Sequence, residues 1–364
     1  MNFMKPHVMF LGILGLAGVG CAGLASEPEP EEADVVAKPG DNCEDYVCGG
    51  GNSPKFEFAV GFHELHLPGT KAETFSGQQL RITKFVRYGK LYQPKVWGAK
   101  LTGVPLDSPD VIAGPTLKGA YLYVGNTAKP LKYVLRIDEE GFAGYWADLT
   151  KMTPYYKISW GLSQPDGSPP TTDWKNLCSG PYPADPILGG LPKDALVIFE
   201  GDRLDPKNKT VSGPDNTWAT FGCAGNLPSK MHLSGFSEAA MHVGLPLTLP
   251  AQRQTFVRMM SAAYCGTRAF TVHGQKMVFK NASGTLKYAL APNQPKSIES
   301  RWDASGATCL SKARVLANPT PESTKYFPLD QAQKMIDMEC GVLPECAGTA
   351  DDQMGYLLVS ANPL

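Results

Sequence analysis

The sequence predicts a mainly β protein, antiparallel and sandwich-like, with two or three short helices and a set of disulfide staples. Three observations carry that expectation. Short runs of alternating apolar residues recur with turn signals every ten or so positions. No helical pattern intervenes between most of them, which argues against βαβ units. Nine cysteines are present, and eight of them form an even set once Cys21 is set aside.

From the N-terminus, Lys5 precedes an apolar run of twelve residues, 8–19, too short to anchor a helix across a bilayer. Residues 1–20 therefore read as an export signal. Gly18-Val19-Gly20-Cys21-Ala22 resembles a lipobox, in which Cys21 takes the lipid and becomes the new N-terminus, although Gly18 stands where an aliphatic residue is usual. The alternative is ordinary cleavage after Gly23-Leu24-Ala25, which removes Cys21. Residues 21–54 alternate Glu27, Glu29, Glu31, Glu32 and Asp34 with prolines and end in Gly49-Gly50-Gly51, a composition that buries too little apolar surface to fold. This is the signature of a tether, with Cys43 and Cys48 closing a small loop at its end.

Beyond the tether the chain divides into a β-rich region, 55–165, a central core, 166–318, and a C-terminal helix and tail, 319–364. Phe56, Phe58, Val60 and Phe62 alternate, as do residues 80–88, 93–101, 119–124, 132–137 and 155–162. Gly125-Asn126 and Glu140-Gly141 mark reversals, and the stretch 164–170 is a proline-rich break. Residues 195–199 and 217–223 are further strands, separated by a polar turn at 205–208. In 248–266, Thr248 suits the N-cap, Pro250 the first turn and Gly266 the stop, with Phe256, Val257, Met260, Ala263 and Tyr264 on one face. Gln254, Arg258 and Ser261 make the opposite face, expected in water. Residues 269–272 and 276–279 flank His273-Gly274 as a hairpin candidate, and 297–302 pairs with 307–310. Leu329, Ala332, Ile336 and Cys340 mark one face of a last helix stopped by Gly341, and 356–359 is an edge strand.

Several stretches of the core together resemble the ADYC-domain family, secreted proteins or lipoproteins of myxobacteria-like bacteria. They are Leu177-Cys178, Glu200-Gly201-Asp202, the run Trp218 through Cys223, Arg258 through Gly266, Phe270-Thr271-Val272-His273-Gly274, Glu299-Ser300-Arg301-Trp302 and Gly306 through Leu310. The resemblance implies an exported protein and no particular activity. The family's naming Asp is Ala263 here, and two further family cysteines fall at Met231 and Phe256, as expected if their disulfide has been replaced by apolar packing. Pairs Cys178–Cys223 and Cys265–Cys309 are then favoured, with Cys43–Cys48 and Cys340–Cys346 local. A bond from Cys265 to Cys309 would clamp the end of the helix to the last strand of the hairpin.

Charged residues are only 19% of the chain and the formal net charge is −1, which excludes a basic nucleic-acid binder. No catalytic motif stands out, and neither cofactor nor metal is expected. His63 and His66 lack metalloprotease spacing, and the cysteines lack Cys-x-x-Cys pairs. His232 and His242 have no matched nucleophile and read as core or surface histidines. Glu200, Asp202 and Asp205 lack the alternation of a calcium loop and read as a solvated turn. Tyr145, Trp146, Tyr155, Tyr156, Trp160 and Trp174 crowd into thirty residues, the best hint of an envelope carbohydrate or protein ligand, although strand aromatics are usually core. The expected function is a lipid-anchored binding or structural module of the outer membrane or cell surface, or else a secreted or periplasmic one. The alternative is a secreted hydrolase in which His232, His242 or Glu200 meets another ionisable group of shifted pKa.

Overall fold

The computed structural model describes residues 64–67, 80–106, 109–126, 132–178, 191–205, 208–272, 275, 277–281, 287–288, 296–347 and 357–363. The signal, Cys21, the tether, the Cys43–Cys48 loop, His63 and the strand at 56–62 lie outside these residues. The first half of the chain supplies β1 (Glu64–His66), β2 (Leu80–Arg87), β3 (Lys90–Trp97), β4 (Lys100–Pro105), β5 (Ile112–Ala113), β6 (Tyr121–Asn126), β7 (Lys132–Tyr145) and β8 (Asp148–Leu162). The second supplies β9 (Lys175–Asn176), β10 (Ala195–Asp205), β11 (Thr210–Cys223), α1 (Leu227–Leu233), a 3-10 helix (Glu238–Val243) and α2 (Pro250–Ser261). It continues with β12 (Val278–Asn281), β13 (Lys287–Tyr288), β14 (Lys296–Asp303), β15 (Gly306–Leu310), α3 (Arg314–Ala317), α4 (Pro321–Tyr326), α5 (Leu329–Cys340) and β16 (Leu358–Pro363).

The antiparallel, mainly β class is as the alternation predicts. β1 to β11 make one sheet in the order β1-β11-β10-β8-β7-β6-β2-β3-β4-β5, and β1 also pairs in parallel with β2 through His66 and Arg81. Seven strands therefore close into a ring, with β3 to β5 running on from it. Closure removes the edges that an open sheet would expose. Leu65, Ile82, Leu122, Leu135, Ile158 and Ile198 fill its interior among other fully buried residues. Because β8 pairs with β10, residues on both sides of position 165 build the same sheet.

Two stretches fold differently from their alternation. Residues 93–101 are not one strand: Gly98, at φ +61, reverses the chain so that Trp97 faces Lys100 across a two-residue hairpin turn. Glu140-Gly141 is not a reversal but the middle of β7. Gly141 lacks a side chain there because the ring of Tyr155 on β8 lies over it.

A second sheet, in the order β13-β12-β16-β14-β15, packs with α1 and α2 around a separate core. Five α-helices occur among the described residues, more than the two or three expected, because α1, α3 and α4 are too short to show a period. The central helix starts after Leu249 and ends at Ala262, which takes the left-handed conformation at φ 49, instead of reaching Gly266. Its second face is not in water. Ser261 is buried and donates to the Val257 carbonyl, while Gln254 bonds Lys209 O and Val211 N. α2 touches both β11 and β14 to β16, so both its faces meet protein. Among the described residues, 269–272 and 277–279 do not pair as expected, and the turn His273-Gly274 lies outside them. β12 instead joins β16 and β13, and β16 is a central strand, not an edge. Met231 and Phe256, at the positions of the two family cysteines, are both fully buried in this second core.

Among the described residues three disulfides close the fold: Cys178–Cys223, Cys265–Cys340 and Cys309–Cys346. The first is the favoured pair. The other two correct the expectation of Cys265–Cys309 and a local Cys340–Cys346. The apolar face of α5, with Ala332 and Ile336 buried, docks so that Glu339 reaches Gly266 and Cys340 meets Cys265. Beyond Gly341 the chain runs beside β15, where Leu310 N donates to Pro344 O, and so delivers Cys346 to Cys309. Three disulfides of this kind suggest an oxidising, exported environment. No described helix is long and apolar enough to cross a membrane.

Candidate functional site

The residues of the Ala262-Ala263-Tyr264-Cys265 stretch build an interior network. Tyr264 OH donates to Glu299 Oε1 at 2.6 Å, and Arg314 Nε reaches the same oxygen at 2.6 Å. Ser360 Oγ donates to Glu299 Oε2 at 2.8 Å and accepts from Trp302 Nε1 at 2.8 Å. A β-bulge between Ile298 and Ser300 leaves Glu299 as the extra residue of β14, and so turns its carboxylate inward. Glu299, Arg314, Tyr264 and Ser360 are all fully buried, the Tyr264 ring stacks on Trp302 at 5.3 Å, and burial pushes its hydroxyl well above the ordinary tyrosine range. A substrate has no access to such a cluster. Its chemistry is an ion pair held inside the core.

His232 is likewise a core group. Its Nε2 lies 2.9 Å from Tyr145 OH and 2.8 Å from Thr153 Oγ1, its Nδ1 2.7 Å from Ser237 Oγ, and its ring stacks on Phe199 at 4.9 Å. Burial pushes its pKa down to about 3, so the imidazole is neutral at any physiological pH. Hydroxyls serve as donor or acceptor, and the neutral ring is fully partnered in either tautomer.

The groups that face outward gather elsewhere. The β3–β4 turn folds across one end of the closed sheet to strands on its far side: Leu101 N donates to Tyr156 OH on β8, and Glu200 N on β10 donates to Gly98 O. Gly98 N returns the bond to Glu200 Oε1 at 2.6 Å. This holds Trp97, 61% exposed, on a fixed turn. The exposed imidazole of His242 lies 5.1 Å from the Trp97 ring and packs over Gly98. Burial raises the Glu200 pKa, with the Gly98 N–H and the nearby His242 pulling the other way. Glu140, on β7, is raised by burial against the opposing charge of Lys100.

A buried cluster underpins this corner. Gly201, at φ +92, follows Glu200 and lets the 3-10 helix cross closely, since a Cβ there would meet Glu238. Asp202 Oδ2 accepts from Glu238 N, and Arg253 Nη1 bridges Glu238 Oε2 at 2.6 Å and Thr248 O at 2.6 Å. Arg253 Nε and Asp202 Oδ1, 2.7 Å apart, make an ion-pair contact without the alignment of a hydrogen bond. Burial lifts the Asp202 pKa to about 7 despite Arg253.

Several expected features are not brought together. Glu200, Asp202 and Asp205 are the end of β10 and not a solvated turn: Asp202 and Asp205 are buried, and Asp205 holds Asn208. Among the described residues no three His, Cys, Asp or Glu side chains converge as a metal site. The aromatic crowd disperses. Tyr145 and Tyr156 are core, Trp160 meets Tyr133 edge-on at 6.0 Å, and Trp174 stacks on Tyr121 at 6.1 Å beneath Arg136. Sequence reasoning missed Trp97, Lys100 and Glu140. The available signal was the Trp97-Gly98 dipeptide, an aromatic residue next to a turn-forming glycine.

No curated protein and no solved structure matches the chain. The sequence model of the ADYC domain matches residues 114–316, more than half of the 364, and spans Tyr264, Glu299 and Arg314 while leaving out α4, α5 and β16. The chain belongs to the ADYC-domain family.

Proposed function

We propose that the chain is a cell-envelope protein, anchored by lipid at Cys21, that acts as a non-enzymatic binding module and presents its β3–β4 corner to a ligand. The observation that carries the reading is the pairing of all six described cysteines, which keeps the fold rigid outside the cell. Of the buried ionisable groups, Glu299 and Arg314 bond to each other, and His232 bonds to core hydroxyls. The outward corner offers a ring and polar side chains, the makings of a binding surface. Mass spectrometry of the native protein from its membrane fraction, without reduction, tests this. A diacyl or triacyl mass on Cys21 with the cysteines oxidised is expected, and an unlipidated N-terminus at Ser26 or free thiols would overturn it.

A second reading, a secreted hydrolase, is favoured by one observation: Glu200, raised by burial, stands beside the imidazole of His242. Hydrolysis of envelope polymers that disappears in Glu200→Gln while binding survives would select it over the binding module.

A further inference from the structure

We infer that the Trp97 corner is a glycan subsite that stacks one gluco-configured pyranose on the indole face. The inference rests on the binding-module reading and names the ligand class of that same corner.

Four features of the site converge on such a ligand. Trp97 is far more exposed than a packing residue, yet it sits on a turn fixed by two bonds between Gly98 and Glu200, one backbone to backbone and one from Gly98 N to the Glu200 carboxylate, and braced by the His242 ring. A rigid exposed ring loses little entropy on binding a flat partner. Second, Glu200 spends only Oε1 on the turn. Its Oε2 has no hydrogen-bond partner among the described residues and is free to accept from sugar hydroxyls. Third, the His242 imidazole lies 5.1 Å from the ring, and Lys100, paired opposite Trp97 across the hairpin, projects from the same face of the turn. Fourth, the Asp202–Arg253–Glu238 cluster and the close crossing at Gly201 fix the 3-10 helix against β10, so His242 and Glu200 are held in one arrangement before any ligand arrives.

The chemistry selects the sugar. A gluco-configured pyranose carries its hydroxyls equatorially, so its two faces are C–H surfaces that match an indole and its edge is a ring of donors and acceptors. A single exposed ring touches one pyranose at a time, so it reads that flat C–H face and not the linkage, with a carboxylate, an imidazole and an ammonium nearby for the hydroxyl edge.

The test is calorimetric titration of the folded, disulfide-intact chain with cellotetraose, chitotetraose and maltotetraose. Binding of at least one of the three tetrasaccharides is expected. Trp97→Ala should weaken that binding by about tenfold or more, Trp97→Phe should restore part of it, and Glu200→Gln should weaken it severalfold, each with an unchanged far-ultraviolet dichroism spectrum and a cooperative melt. No binding of any of the three, or binding indifferent to Trp97→Ala in a folded variant, overturns the subsite. The two failures separate cleanly. A lipidated, oxidised protein that ignores these sugars loses the glycan subsite and keeps the envelope module, whereas free thiols or an unlipidated Ser26 remove the module itself.

Discussion

His232 and Asp202 are buried within one domain and are driven in opposite directions by the same cause. Burial favours the neutral form of each, lowering the histidine to about 3 and lifting the aspartate to about 7. The histidine is depressed from an unfolded value near 6.5, so its contribution to stability is present above that pH and is lost as pH falls toward 3. The aspartate is raised from near 3.8, so its contribution is present at acid pH and is lost as pH climbs to about 7. Between roughly pH 4 and 6.5 the two slopes, each about 1.4 kcal/mol per pH unit, cancel. Urea unfolding of Asp202→Asn across that range should therefore show stability rising with pH relative to the parent. Parallel profiles would show that Asp202 does not titrate there. Glu299 gives a plainer case. Glu299→Gln leaves Arg314 as a buried charge without its counter-ion and should cost roughly 3–5 kcal/mol, against about 1–3 for Tyr264→Phe, which removes one hydroxyl. Equal unfolding midpoints for the two variants would contradict an ion pair at the centre of the network. The sequence allowed His232 as a core histidine and put Tyr264 on the apolar face of 248–266, but not the partners of either, because those lie tens of residues away.

At the level of elements, most strands were legible from alternation, since one face of each meets an apolar core. The errors fall where a side chain yields to the backbone around it. Gly98 reverses a run that alternates, Gly141 does not reverse because Tyr155 lies over it, and Ala262 ends α2 four residues before the glycine that was expected to do so. The disulfides show the same limit. The sequence placed six cysteines near the ends of the right elements, but the partner of Cys265 depends on how α5 docks, which spacing does not encode. Peptide mapping of the non-reduced protein should find Cys265 linked to Cys340 and Cys309 to Cys346; a Cys340–Cys346 peptide would refute this docking of α5. The loops closed span 75 and 37 residues. On the chain-entropy account each bond is worth roughly 4 kcal/mol, and the double change Cys265→Ser, Cys340→Ser should lower the unfolding free energy by up to that amount.

For the whole molecule, local pattern gives strands but not their neighbours, so neither the closing of the first sheet through β1 and β2 nor the central place of β16 could be read from it. The latter has a direct consequence. The residues that carry the family resemblance end at Leu310, and the matched domain ends at 316, yet the second sheet is completed by a strand some forty residues further on. β16 lies between β12 and β14 and supplies Ser360 to both Glu299 and Trp302. The matched domain is thus a folding unit only with its C-terminal extension. Ser360→Ala should cost about 1–3 kcal/mol, because it leaves a buried carboxylate oxygen and an indole N–H without their shared partner. Truncation after Ala347 removes the whole strand, Leu358 included, opens both of its sheet partners and uncovers the core around Trp302. The shortened chain should lose its cooperative unfolding transition and bind a hydrophobic dye at room temperature. A truncated protein that still melts cooperatively near the parent's midpoint would show that the second sheet holds without its central strand.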